Sequence, residues 1–426
     1  MNDLELGKSA LTALEKQGFE KSQVRVTSVH FDEMQADFSE PNLLRSFDTT
    51  KLSLDGVHEE KKANLGVSQT EPEALRAAAA QLWDLASVAK PDPANDVADW
   101  QPSQRFDRGP RAREREQMLG RLVEFLEETK RLFPSVMLRT ATVTFSRRCE
   151  TLLNSNGVQL ESEAGSYGVG VIFAAREGHA VSSFNFTGLV LADLEKPLMQ
   201  SGTVCETLRQ VTEQLAPRRV PQRFNGDIVI APDCLDSFLG FLTSRIGNYP
   251  MISGTSVYKE KLGQLVASPQ LNLHSRPLDL PGGYCITHDG FAAENATLVA
   301  EGRLQSFLLD QFGSRKTERA RARTGGGCQV VDAGSTPRSE LIGGVGRGIL
   351  VGRFSGGVPS DRGDFSGIAK NSYYIEDGQV QYPVSEVMLS GNMVDLLENI
   401  IAVSQERADF GNRIYPWIRV SGIGVS

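Results

Sequence analysis

The sequence predicts an α+β protein in which N-terminal α/β layers are followed by a β-rich, glycine-rich C-terminal domain. Three observations point there. Helical apolar stripes and alternating strand-like segments interleave through the first half. Short apolar runs punctuated by glycine dominate after Val220. With 426 residues and 40% apolar content, the chain exceeds one ordinary core, so two or three packing units are expected.

Residues 1–90 form the first expected domain. Leu4, Leu11 and Leu14 mark an opening amphipathic helix, and Val24 to Val29 reads as a strand. In 72–89, Leu75, Ala78, Ala79, Leu82 and Leu85 recur at three- and four-residue intervals, one stripe on a second helix. Residues 91–112 are rich in Pro, Asp and Arg and poor in aliphatics, which predicts a linker or surface excursion. Residues 113–219 form a middle segment packed with the first domain. It holds a helix over 112–133 stopped by Pro134, an alternating strand from Val136 to Phe145, a turn at Asn154-Ser155-Asn156-Gly157, further strands through Phe186, and a long helix from about Leu191 to Leu215. Residues 220–426 form the C-terminal domain. There Ile228 to Ile230 is a short buried strand feeding a helix that carries Leu235, Phe238, Leu239 and Leu242, and a last helix is expected around Met393 to Val403.

The formal net charge of −8 repels phosphate backbones, so direct nucleic-acid binding is disfavoured. Five scattered cysteines without a CxxC pair read as buried thiols in a reducing compartment. The first twenty residues carry charges throughout and lack an apolar signal core, which together with the thiols predicts a cytoplasmic protein with no membrane partner.

Several motifs of the C-terminal half occur in one order: Gly254-Thr255-Ser256-Val257-Tyr258, Gly363-Asp364-Phe365-Ser366-Gly367, the stretch from Gly378 to Pro383 with Val384, and Ser390-Gly391-Asn392 before an apolar helix. Together with Leu153-Asn154-Ser155-Asn156-Gly157 they resemble the TldD/PmbA family, known also as "modulator of DNA gyrase", over roughly residues 120–426. The resemblance implies a two-subunit zinc peptidase. Its TldD-like subunit carries His-Glu and, four residues on, a second His on one helix, with a Cys near the C-terminus. Its TldE/PmbA-like subunit keeps the fold. Two imidazoles on one helix share the metal while the glutamate activates bound water.

Family spacing back from Ser256 places Leu239, Gly240 and Ser244 where the first His, the Glu and the second His would stand. None is a zinc ligand. The five histidines, His30, His58, His179, His274 and His288, lie at least fourteen positions apart, and the last cysteine is Cys328. The resemblance therefore implies a non-catalytic TldE/PmbA-like subunit without a cofactor of its own, paired with a zinc-bearing TldD-like partner, acting on unfolded or modified peptides. The resemblance places it in a metallopeptidase family, with peptidase activity expected only with that partner. The alternative is a stand-alone homodimer that binds a peptide or small ligand without hydrolysing it; a cysteine or serine hydrolase ranks third.

Other signals are weaker. Arg315, Lys316, Arg319, Arg321 and Arg323 read as a solvated helix face, or else as a grip on an acidic peptide or the partner. Gly325, Gly326, Asp364, Phe365 and Ser366 are the remaining candidate peptide or partner contacts, with capping the main reading of Asp364 and Ser366. Gly343 to Gly348 is followed by a strand-like run rather than a helix, against a dinucleotide loop. Cys328 reads as a structural thiol.

Overall fold

In the computed structural model, which describes residues 2–426, the chain enters α1 (Asp3–Gln17) through a capping box. The Asn2 side chain accepts from the Glu5 amide, and the Glu5 carboxylate accepts from the Asn2 amide. Next come β1 (Lys21–Asp37), β2 (Glu40–His58), β3 (Lys61–Val67), α2 (Pro72–Ser87), β4 (Gln104–Arg108), α3 (Arg115–Leu132), β5 (Val136–Asn154), β6 (Gln159–Glu177), β7 (Ala180–Val181), β8 (Asn185–Leu191) and α4 (Val204–Glu213). The strands form one sheet in the order β3-β2-β1-β5-β6-β4, with β7 and β8 also on β6. Only the β4–β6 pairing is parallel.

The strand period of two sorts the side chains onto two faces. On one face, Val24, Val26, Leu52 and Leu54 pack on Leu6, Leu14, Leu75 and Leu82 of α1 and α2. Further along it, Val143, Phe145, Val169 and Val171 pack on Met118, Leu122, Phe125 and Leu208 of α3 and α4. The opposite face meets the C-terminal half, where Leu152 and Leu160 bury against Cys285 and Ile286.

Residues 91–112, read from composition as a linker, supply β4 and bury Ala94, Val97 and Ala98. The Asn154 and Asn156 amides donate to the Ala98 carbonyl at 2.7 and 3.0 Å, so side chains of the turn satisfy this segment's backbone. The single helix expected over Leu191 to Leu215 is broken instead. Pro197 leads into a short turn at Leu198–Gln200, and Gly202 at φ 53° reverses the chain before α4 begins.

The second half runs β9 (Phe224–Ile230), α5 (Asp236–Arg245), α6 (Asn248–Ser253), β10 (Leu273–Ser275), β11 (Ala296–Ala300), β12 (Arg303–Leu304), α7 (Gln311–Thr317), β13 (Gln329–Val331), α8 (Arg338–Gly343), β14 (Arg347–Val351), β15 (Arg353–Gly356), β16 (Asp364–Lys370), β17 (Ser372–Glu376), β18 (Gln379–Val384), β19 (Val387–Asn392), α9 (Met393–Glu398), β20 (Ile400–Asp409) and β21 (Ile414–Val425). The main path of its sheet is β12-β11-β10-β13-β21-β9-β14-β17-β18. Helix α5 packs Phe238, Leu239 and Leu242 against Ile228, Ile230, Ile349 and Phe365. The last helix stops at Glu398, short of Val403, because Ile400 and Val403 enter β20 and pair with β21, as β-branched residues favour. The architecture is α+β, with the β-rich half at the C-terminus.

The halves join around Asp233 and Phe410. Phe410 inserts into the core beneath α3 and α4 and its carbonyl accepts from the Val190 amide at 2.9 Å. Thr203 Oγ1 donates to Asp233 Oδ1 at 2.6 Å. Burial, helped by the Glu206 charge and opposed by the Thr203 bond, pushes the Asp233 carboxyl up to about 6. Unfolded, it ionises near 3.8. Its contribution to stability is therefore complete below that value and lost as pH rises through 6. Asp233→Asn keeps an acceptor for Thr203. It should exceed the parent in stability at pH 8 by on the order of 2–3 kcal/mol, with the advantage gone near pH 4. Urea titrations at both pH values test this, and an equal advantage at both would refute the assignment.

Candidate functional site

Helix α5 is where the resemblance places zinc ligands, so its chemistry comes first. Leu239 is 0% exposed in the core. Gly240 has open space beside it and no side chain to offer. The Ser244 hydroxyl donates to the Phe241 carbonyl at 2.8 Å, one turn back on its own helix. An aliphatic group, a hydrogen atom and a committed neutral hydroxyl do not fit zinc. Among the described residues no three His, Cys, Asp or Glu side chains converge as a ligand set. The histidines are dispersed: His30 meets Asp48, His58 lies 3.2 Å from Glu20, and His274 bridges Thr297 and Asp332 at 3.0 and 3.1 Å. No metal-assisted step follows from this helix.

The basic run is only in part a helix face, and its cations are paired within the chain. Glu318 at φ 55° ends α7, so only Arg315 and Lys316 lie on a helix. Arg315 pairs with Asp96 and Asp99, Lys316 with Asp92 at 2.9 Å, Arg319 with Glu260 at 3.0 Å, Arg321 with Asp289 at 2.7 Å and Arg323 with Glu294 at 3.3 Å. Every cation thus has an intramolecular carboxylate, and two of them tie the C-terminal half to residues 92–99. Spacing along the chain could not show this, because the carboxylates are remote in sequence.

The other candidates separate. Gly325 donates its amide to the Tyr284 hydroxyl at 2.7 Å and lines the cleft described below, whereas Gly326, at φ 80°, is buried beneath Leu308. Asp364, Phe365 and Ser366 lie on β16, away from that cleft. Phe365 is core; Asp364 accepts from Ser360 and Asn392 at 3.0 and 3.1 Å, tying its turn to the residue that caps α9. Of the cysteines, only Cys234 and Cys285 are buried; Cys149 and Cys328 are half-buried and Cys205 is exposed on the outer side of α4. The expectation of five buried thiols fails at three positions, most fully at Cys205, because a helix that buries Val204 and Leu208 must turn other positions outward. Burial pushes the Cys328 thiol up, which keeps it from being an activated nucleophile.

What the sequence reading missed is a cleft between the first sheet and the C-terminal half. It has two lobes of about 580 and 640 Å³, which share Arg25, Ser53 and His288. Its walls come from β1, β2, β3, β5, β6 and residues 94–96 on one side and from residues 283–289, 310–312 and 325–327 on the other. Arg25 spans it, ion-paired with Glu150 and donating to the carbonyls of Thr287 and His288 at 2.5 and 3.3 Å. Burial, and then the charge of Arg148, bring its guanidinium down to about 10. His288 Nε2 lies 3.0 Å from Asp310, which raises the imidazole pKa. Burial opposes ionisation of Asp310, but bonds from His288, the Gly313 amide and Asn248 outweigh it and hold the carboxyl down at about 2. The residues of this cleft lie far apart in the chain and no motif signals them.

Comparison with known proteins places this geometry. Residues 224–426 match the family profile of the PmbA/TldA metallopeptidase C-terminal domain. The chain is similar to Metalloprotease PmbA of Escherichia coli O157:H7, 22% identical over 410 residues that cover 87% of this chain and 85% of that protein. It is also similar to a metalloprotease of Methanothermobacter thermautotrophicus, 29% identical over 194 residues covering 42% of this chain and 43% of the relative. Its fold matches the crystal structure of TldE from Thermococcus kodakarensis with a TM-score of 0.84 at 17% identity, covering 99% of this chain and 100% of that one. A Bacteroides thetaiotaomicron structure, described as a candidate modulator of DNA gyrase, gives 0.87 at 20% identity, with 99% and 98% covered. The C-terminal half of this chain matches the PmbA/TldA metallopeptidase C-terminal domain, and motifs, relatives and a fold shared from end to end support membership of the PmbA/TldD family.

Proposed function

We propose that this chain is the non-catalytic subunit of a two-subunit zinc peptidase of the cytoplasm, pairing with a TldD-like partner that carries the metal and acting on unfolded or modified peptides. One observation carries the reading: at the three helix positions where the family's ligands and base stand, α5 offers Leu239, Gly240 and a self-bonded Ser244. The E. coli relative is named a metalloprotease, while this helix holds no ligand. A silent subunit within a peptidase reconciles the two. In the described residues no helix is long and apolar enough to cross a membrane.

The purified chain, given Zn²⁺ and dialysed, should retain no stoichiometric zinc by plasma mass spectrometry and should leave a fluorogenic unstructured peptide intact. Co-expressed with a TldD-like chain bearing HExxxH, it should co-purify as a complex that cleaves the peptide. One zinc per isolated chain, or cleavage without the partner, overturns the proposal. Recovery only as a homodimer in the presence of that partner would favour a stand-alone binding protein.

A further inference from the structure

We infer that the cleft between the two halves binds the free carboxylate of an extended peptide, with Arg148 as the group that meets it. This rests on the reading of the chain as a peptide-handling subunit, but on a different part of the molecule: no residue of α5 lines either lobe.

The argument is one of size and charge. Each lobe, at about 580 or 640 Å³, is far beyond a single water or ion and within the range of organic-ligand pockets. Arg148 lines the larger lobe with Arg25, His288, Ser53, Ser162, Tyr284 and the glycine backbone of 325 and 327, and Glu150 is the sole carboxylate among that lobe's lining residues. Glu150 is shared. One of its oxygens holds Arg25, and the other lies 3.5 Å from Arg148 Nε. Arg25 is further committed to the Thr287 and His288 carbonyls. Within this lobe two guanidinium groups therefore face one carboxylate, while the imidazole at the saddle is held by Asp310 of the other lobe, where Asp55, Asp96 and Asp289 also lie. Burial disfavours the charge on Arg25, whereas the Arg148 side chain stands 55% exposed at the cleft wall, open to an incoming ligand.

A guanidinium at the cleft wall, left incompletely neutralised by a shared carboxylate, is stabilised by a second one, to which its planar fork can donate two parallel hydrogen bonds. A peptide C-terminus supplies that group, and its preceding residues can run past Ser53 and His288 into the second lobe, where Lys62, Asn64 and Asn95 offer polar partners.

The test uses the full chain and a short labelled unstructured peptide made as the free acid and as the C-terminal amide, read by fluorescence anisotropy. The free acid should bind about tenfold more tightly than the amide. Arg148→Gln should bring the acid to the level of the amide and leave amide binding unchanged, and Arg148→Lys should restore part of the difference. Equal binding of acid and amide to the parent chain overturns the inference even if the variants fail to fold. So does a difference that persists in Arg148→Gln, or displacement of the peptide by inorganic phosphate at lower concentration than by N-acetylglycine. None of these outcomes bears on zinc content or co-purification, so the subunit reading stands or falls separately.

Discussion

Leu239→His should lower the unfolding free energy by about 3 kcal/mol, with no gain of zinc. Leu239 is 0% exposed and packs in the core that joins α5 to β9, β14 and β16. An imidazole there forfeits part of the aliphatic packing and brings two ring nitrogens into surroundings that supply no partner. Nor would the metal repay the loss, because Gly240 and Ser244 supply neither base nor second imidazole and the last cysteine is Cys328. Chemical denaturation with metal analysis measures both halves of the expectation. A denaturation midpoint equal to the parent's would refute the packing argument and show that the helix tolerates an imidazole at this position.

Gly411→Ala should cost about 3–5 kcal/mol, because two penalties combine. Gly411 sits at φ 76°, where a side chain is strained, and an added Cβ would overlap the Val190 carbonyl oxygen. It cannot simply move aside. Its carbonyl accepts from the Gly282 amide at 2.8 Å, its amide donates to Asp409 at 2.7 Å, and its neighbour Phe410 is locked into the first core. The substitution thus strikes the place where β8, the 282 turn and the C-terminal half meet. A loss of less than about 1 kcal/mol would mean that this junction can relax, contrary to the close backbone approach seen there.

Much of the fold was legible because it is written in short-range pattern. The stripe Leu75, Ala78, Ala79, Leu82 became the buried side of α2, and the alternation from Val136 became β5. Errors arose where local chemistry opposed a periodic signal. Pro197 and Gly202 split a helix that Val204, Leu208 and Val211 alone would extend, and Ile400 and Val403 continued an apolar period that belonged to a strand. Composition misled at 91–112, where three small apolar residues suffice for burial once Asn154 and Asn156 satisfy the backbone.

The sequence by itself determined the α+β class, the helices and strands whose apolar period is set by neighbours two to four residues away, and the absence of histidine, glutamate and cysteine from positions 239, 240 and 244. Only the tertiary structure decided that the basic run is internally neutralised, and that Arg25, Arg148, Glu150 and His288 surround one cleft. The physical reason is separation along the chain. Ion pairs and cavities are made by groups that folding brings together from separations as different as 32 and 224 residues, and no periodicity in the sequence records which charge will face which.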